Sequence, residues 1–173
     1  MTFSAHQSSL PAFIAMLTNI QNWLDKAAAQ KSEAELIEAR LAPDMFPLAR
    51  QIQIASDAAK GAAARLTGSE APAMPDTETS FAELKDRCAR TIAYLQGINA
   101  ADYDAGLARE VVITFPNGAG IKFDGQTFLT GFALPNFYFH ASMTYAILRA
   151  QGVDLGKQDF LAHLAPFMFA PPA

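Results

Sequence analysis

The sequence predicts an all-α fold of four long helices, with a β-hairpin inserted between the third and the fourth. Three observations carry this expectation. Apolar residues recur at three- and four-residue steps in several separate segments, the period of a helix with one buried face. Between the third and fourth helices, Val111-Val-Ile-Thr-Phe115 and Ile121-Lys-Phe123 flank Pro116-Asn-Gly118, the pattern of two strands and a turn. The chain has 173 residues, 51% of them apolar, which suits one domain over 1–173 with a sizeable core and the hairpin at about 109–124.

The first helix is expected from Ser8 or Ser9 as N-cap, with Pro11 in the first turn, to about Ala29. Leu10, Phe13, Ile14, Leu17, Ile20 and Leu24 form its stripe, and Trp23 lies off the centre, covering an edge or a contact. Glu33–Arg40 has room for a short helical turn before Pro43 and Pro47. The second helix spans about Phe46–Leu66, with Gly68 just past its end. Leu48, Ile52, Ala55, Ala59, Ala62 and Leu66 form the main stripe, whose alanines let a neighbour approach closely; Gln53, Asp57 and Lys60 run down its flank.

Residues 68–79 are rich in Gly, Ser, Pro, Glu and Thr and read as a surface linker. Ser80-Phe-Ala-Glu83 is a capping box that opens the third helix, with Phe81, Leu84, Cys88, Ile92 and Leu95 inward and an end near Gly97. A lone hairpin is marginal in water, so it must pack on the helices or on another chain. The fourth helix covers Pro135 to about Ala150, with Thr130 as an alternative N-cap and Gly152 as its stop. Leu155–Leu164 can add a short turn before a proline-rich end.

Composition narrows the function classes. The formal net charge is −4 and the pI about 5.3, with no basic stripe, which disfavours nucleic acid. No apolar run reaches the length of a membrane span, and the N-terminus lacks a signal peptide's pattern, so a cytoplasmic protein is expected. Charged residues make up only 17%, which predicts some apolar surface buried against a partner chain. Cys88 is the only cysteine and lies on an apolar stripe, so it reads as a core thiol.

The candidate site lies on the fourth helix. On a helical wheel Asn136, Phe139, His140, Met143, Ala146 and Ile147 share a face, opposite Tyr138, Ser142, Tyr145 and Arg149. A buried imidazole and amide need partners, and Gln53 and Asp57 on the second helix are the candidates. The resulting set (Gln53, Asp57, Asn136 and His140) is either a polar pocket between the two helices, with His140 as a metal ligand or acid–base group, or a buried network that fixes helix register. Ser142 faces away from His140, so no Ser–His pair is expected. His6 and His163 read as surface or partly packed residues, and Glu33, Glu35 and Glu38 as a solvated face. Pro116-Asn-Gly-Ala-Gly120 lacks a phosphate loop's pattern. Phe132, Phe137, Tyr138 and Phe139 read as core or dimer surface.

Pro43-Asp-Met-Phe-Pro-Leu-Ala-Arg-Gln-Ile-Gln53, the hairpin, Leu134-Pro-Asn-Phe-Tyr-Phe-His140 and Gly152-Val-Asp-Leu-Gly-Lys157 together resemble the DUF1993 family of bacterial proteins. That family is similar to the DinB/YfiT-like superfamily of four-helix bundles, described as metalloenzymes and often dimeric. The resemblance implies a divalent metal, such as zinc or nickel, held by one histidine on the second helix and a His-x3-His pair on the last. In this chain those positions read Gln53, Asn136 and His140, so one of the three implied histidines is present, which favours no metal. Two functions follow as expectations. One is a DinB-like protein with a degenerate metal pocket that takes a small molecule. The other is a non-catalytic homodimer, with Tyr138 and Tyr145 on an exposed side.

Overall fold

The computed structural model describes residues 4–115 and 117–169; Pro116 of the hairpin turn and the proline-rich end lie outside them. In chain order the elements are α1 (Ala5–Ala28), α2 (Glu33–Ile37), α3 (Leu48–Thr67), α4 (Phe81–Gln96), α5 (Ala100–Ala105), β1 (Glu110–Thr114), β2 (Gly120–Asp124), α6 (Gly125–Thr127), α7 (Leu134–Ala150) and α8 (Lys157–Phe160). A π-type turn over Phe128–Ala133 joins α6 to α7. The long helices are those expected: α1, α3, α4 and α7 form a bundle, with the hairpin between the last two.

α3 packs against α7 and α4, and α1 packs against the same two, so the ring runs α1–α4–α3–α7. α4 and α7 lie across from each other. The connection over 97–133 therefore crosses from one side of the bundle to the other, which the sequence left open. α3 is the most enclosed helix. Ala55, Ala59, Ala62 and Ala63 are fully buried, and these short side chains let α4 and α7 close on it from two sides.

α1 begins earlier than its serines suggest. Ser4 caps it by accepting from the Gln7 N–H at 3.2 Å, while Ser8 and Ser9 donate back to the Ala5 carbonyl. Pro11 is thus inside the helix; it is tolerated because it and Gln7, whose carbonyl loses a donor, are exposed to water. Of the two expected places for Trp23, the structure shows a contact rather than an edge. α8 folds back over it: the Phe160 ring stacks at 5.5 Å and the Trp23 Nε1–H donates to the Asp159 carbonyl at 3.1 Å. Burying so large a ring contributes about 1.5–3 kcal/mol or more, a gain that exists only once the C-terminal segment has docked.

The expected capping box opens α4: Ser80 Oγ accepts from the Glu83 N–H at 3.2 Å, and Glu83 accepts from the Ser80 N–H at 3.1 Å. Gly68 ends α3 at φ 72°, a conformation that glycine adopts without strain. α5, not foreseen, carries the fully buried Tyr103, whose hydroxyl hydrogen-bonds Ser9 at 2.9 Å. Burial raises the Tyr103 phenol to about 12.

The hairpin is antiparallel, pairing Glu110 with Asp124 through Thr114 with Gly120. It is seated on the bundle by backbone contact: a Cβ at Gly106 would collide with the Leu66 carbonyl of α3, and one at Gly125 with the Gly106 carbonyl. Val111 is buried, and Phe123 packs on Phe128 and Phe132. The last helical stretch starts ten residues before Pro135 rather than at it, with Asp124 accepting from the Thr127 N–H at 2.7 Å. The π-type turn lies directly before Pro135, where an α-helical ladder loses its donor.

α7 has two buried sides because it sits between α1 and α3. Phe137, His140, Ala141, Thr144, Ile147 and Leu148 are buried. Tyr145 meets Trp23 and Phe160 edge-on, and Tyr138 packs against Phe137, so neither tyrosine belongs to an exposed side. Phe139, placed by the wheel on the inner face, is exposed. A single-stripe wheel cannot represent a helix held from two directions.

Candidate functional site

His140 is buried, and its partner is Gln51, two residues before the expected Gln53 and on another face of α3. His140 Nδ1 lies 2.7 Å from Gln51 Oε1, and Gln51 Nε2 donates to the Phe46 carbonyl at 3.0 Å. That chain determines a proton's position. A carbonyl can only accept, so the Gln51 amide must direct its NH2 at Phe46 and its oxygen at the imidazole. Nδ1 therefore carries the hydrogen, and Nε2 carries the lone pair. Nε2 bonds no described residue and is not among the sealed, unpartnered atoms, so it keeps access to solvent. Burial, together with the nearby Arg50 guanidinium, lowers the His140 pKa from its ordinary value, which keeps the ring neutral at pH 7.

Gln53 and Asp57 belong to a different assembly. Gln53 Nε2 donates to Glu78 at 3.0 Å, and its Oε1 accepts from Arg50 at 3.3 Å. Asp57 accepts from Arg87 at 2.7 Å and pairs with Lys60 at 2.8 Å. Arg87, on α4, is the residue the sequence reading missed. It is fully buried and also holds Glu78 at 2.9 Å, Asp76 at 3.0 Å and the Pro75 carbonyl at 3.2 Å. Arg50 pairs with Asp76. Burial disfavours the Arg87 charge, but the bonds to Glu78 and Asp57 outweigh it, and its pKa is raised. Three cations (Arg50, Lys60, Arg87) face three carboxylates (Asp57, Asp76, Glu78), so the cluster is neutral. Residues 68–79 are therefore a strap bound to α3 and α4 by ion pairs, not a free linker. The one signal was that Arg87 neighbours Cys88, on the edge of the buried stripe.

Asn136 faces a third place. It is half-buried in a cleft of about 210 Å³ between α3, the π-type turn and β1, with Asp57, Ile54, Phe128 and Phe132 around it. The four candidate residues thus separate: Asp57 and Asn136 line one cleft, Gln53 sits in the ion-pair cluster, and His140 pairs with Gln51. His163 is exposed, its Nδ1 3.4 Å from Asn19 Nδ2 on α1, and His6 packs edge-on against Tyr103. Cys88 is sealed in the core, and burial pushes its thiol up to about 12.

The bundle with its crossing hairpin connection and α3–α7 polar face defines the class: this is a DinB-like helical bundle. It is similar to the crystal structure of a DinB family member protein from Shewanella denitrificans, with 38% identity, coverage of 96% of this chain and 95% of that chain, and a TM-score of 0.85. The chain belongs to the DUF1993 family, a domain of unknown function matched over residues 5–161. No curated protein matches the chain.

The superfamily likeness implies a divalent metal at the positions of Gln53, Asn136 and His140, and the residues present do not fit one. Both ends of the Gln53 amide are engaged, by Glu78 and Arg50. Asn136 is a neutral amide, a weak ligand for transition metals. Arg50 donates to Gln53, and its charge lowers the His140 pKa, which opposes a further positive charge at the imidazole. Among the described residues, no three His, Cys, Asp or Glu side chains gather closely enough to hold a metal ion. No helix of the described residues is long and apolar enough to cross a membrane.

Proposed function

We propose that this chain is a metal-independent DinB-like protein that binds a small molecule between α3 and α7, with His140 as a neutral proton acceptor. The observation that supports it is the orientation of the imidazole by Gln51 and the Phe46 carbonyl, which leaves Nε2 as an accessible base. Where a metal ligand of the superfamily would coordinate through such a nitrogen, this chain offers it instead for a hydrogen bond or a proton. Arg50 serves the same end, since its charge disfavours protonation of the ring.

The test joins metal analysis of protein purified without an affinity tag to imidazole nitrogen NMR. The expected result is no stoichiometric metal and a His140 ring protonated on Nδ1 above its pKa. In Gln51→Leu that tautomer preference is expected to be lost. A bound divalent ion at one per chain, or a ring protonated on Nε2 in the wild type, would sink the reading.

A second reading, a homodimer, is favoured by Phe46 and Phe139, two exposed aromatics beside the His140–Gln51 pair. Light scattering at micromolar concentration separates it from a monomer. The two readings are compatible.

A further inference from the structure

We infer that the cleft between α3, the π-type turn and β1 binds a small carboxylic acid with an apolar body, its carboxylate held by Arg65 and Asn136. The inference needs neither His140 nor the absence of a metal, so it and the reading above fail separately.

The cleft holds about 210 Å³, below the range of about 300–1,000 Å³ that takes drug-sized ligands, so the compound is small. Ile54, Ala58, Ile113, Phe128 and Phe132 make its walls apolar. Two charged side chains, Asp57 and Arg65, also line it, and they are not equivalent. Asp57 is already neutralised by Arg87 and Lys60, at 2.7 and 2.8 Å. Arg65, at the exposed rim, pairs with no carboxylate among the described residues. Its Nη1 donates to the Gly61 carbonyl at 3.1 Å, and its guanidinium stands 5.9 Å from the centre of the Phe128 ring.

The uncompensated charge in the cleft is therefore positive, and it sits against an aromatic wall. A guanidinium presents paired N–H donors that match a carboxylate. The Asn136 amide is half-buried and makes no hydrogen bond to a described residue, so it supplies a further donor that an anion can satisfy. A neutral compound of the same shape would fill the apolar walls and leave these donors unanswered.

Gly61 decides where the guanidinium lies. A Cβ on Gly61 would come within 2.5 Å of Arg65 Nη1. A side chain there would push Arg65 out of its seat without altering any cleft wall, because the displaced group is the free end of a flexible side chain.

The experiment titrates hydrocinnamate, and separately its primary amide, into the full chain and follows amide NMR signals of Ala58, Phe132 and Asn136. Hydrocinnamate is expected to move those signals and saturate, and the neutral amide to bind about tenfold more weakly or worse. Arg65→Gln and Gly61→Ala should each weaken hydrocinnamate binding by about tenfold. Gly61→Ala keeps or raises Tm, since alanine favours the helix, so its loss of binding cannot be unfolding. Equal binding of the acid and the amide, no shift with either, or unchanged affinity in both variants would overturn the inference. Cleft signals that move with protein concentration alone would assign the cleft to a second copy and overturn it as well.

Discussion

Replacing Arg87 with methionine is expected to destabilise the fold by about 3–5 kcal/mol, the usual cost of breaking a buried ion pair. The figure follows from how unequally the three carboxylates would suffer. The Asp57 and Asp76 side chains are 38% and 36% exposed, and each keeps a second cation, Lys60 and Arg50 respectively. The Glu78 side chain is 6% exposed and would keep only the Gln53 amide. The penalty therefore concentrates on one buried, stranded charge. In a domain of this size it lowers Tm by about 6–20 °C and removes a large share of a total stability of about 5–15 kcal/mol. Urea unfolding followed by circular dichroism gives the loss directly. Adding Glu78→Gln to Arg87→Met removes the stranded charge and should recover at least half of it. A loss below about 1 kcal/mol for Arg87→Met, or a double variant weaker than the single one, would refute the reasoning.

Other predictions rest on separate parts of the fold. His140 has a lowered pKa, so the folded state prefers the neutral ring; stability is full above the ordinary value of 6.5 and falls as pH drops through the lowered pKa. Unfolding midpoints measured from pH 7.5 down to 5 should show a decline that His140→Gln reduces. Cys88, buried with its thiol pushed up to about 12, should resist a thiol reagent in the native state and react at once in denaturant. Trp23 is the only tryptophan, and its cover is α8, so deleting residues 157–173 should shift its fluorescence to the red and lower Tm; an unchanged emission spectrum would contradict the packing.

The fold was legible where physics acts over a few residues. The Ser80–Glu83 box, the Gly68 and Gly152 stops, the hairpin and the alanine face of α3 each follow from local geometry and periodicity. The site was legible only in part. The inward direction of His140 follows from the 3.6-residue repeat, but its partner does not. Gln51 and Gln53 are both glutamines on one helix, and choosing between them requires the rotation of α3 against α7, which depends on every side chain in between. Arg87 was hidden for a related reason. A buried arginine is expensive until three acids reach it, and two of them lie on a strap whose composition reads as a linker.

The chain alone determined which long segments are helical, where most of them stop, and that a hairpin interrupts them. Those are properties of neighbours in sequence, within reach of one or two turns of backbone. Tertiary structure decided the ring order of the helices, the strap held by Arg87, the covering of Trp23 by α8, and the separation of Gln53, Asp57, Asn136 and His140 into three environments. Each of these depends on which surfaces meet across the bundle, and that is set by the summed packing of the whole core rather than by any stretch of it.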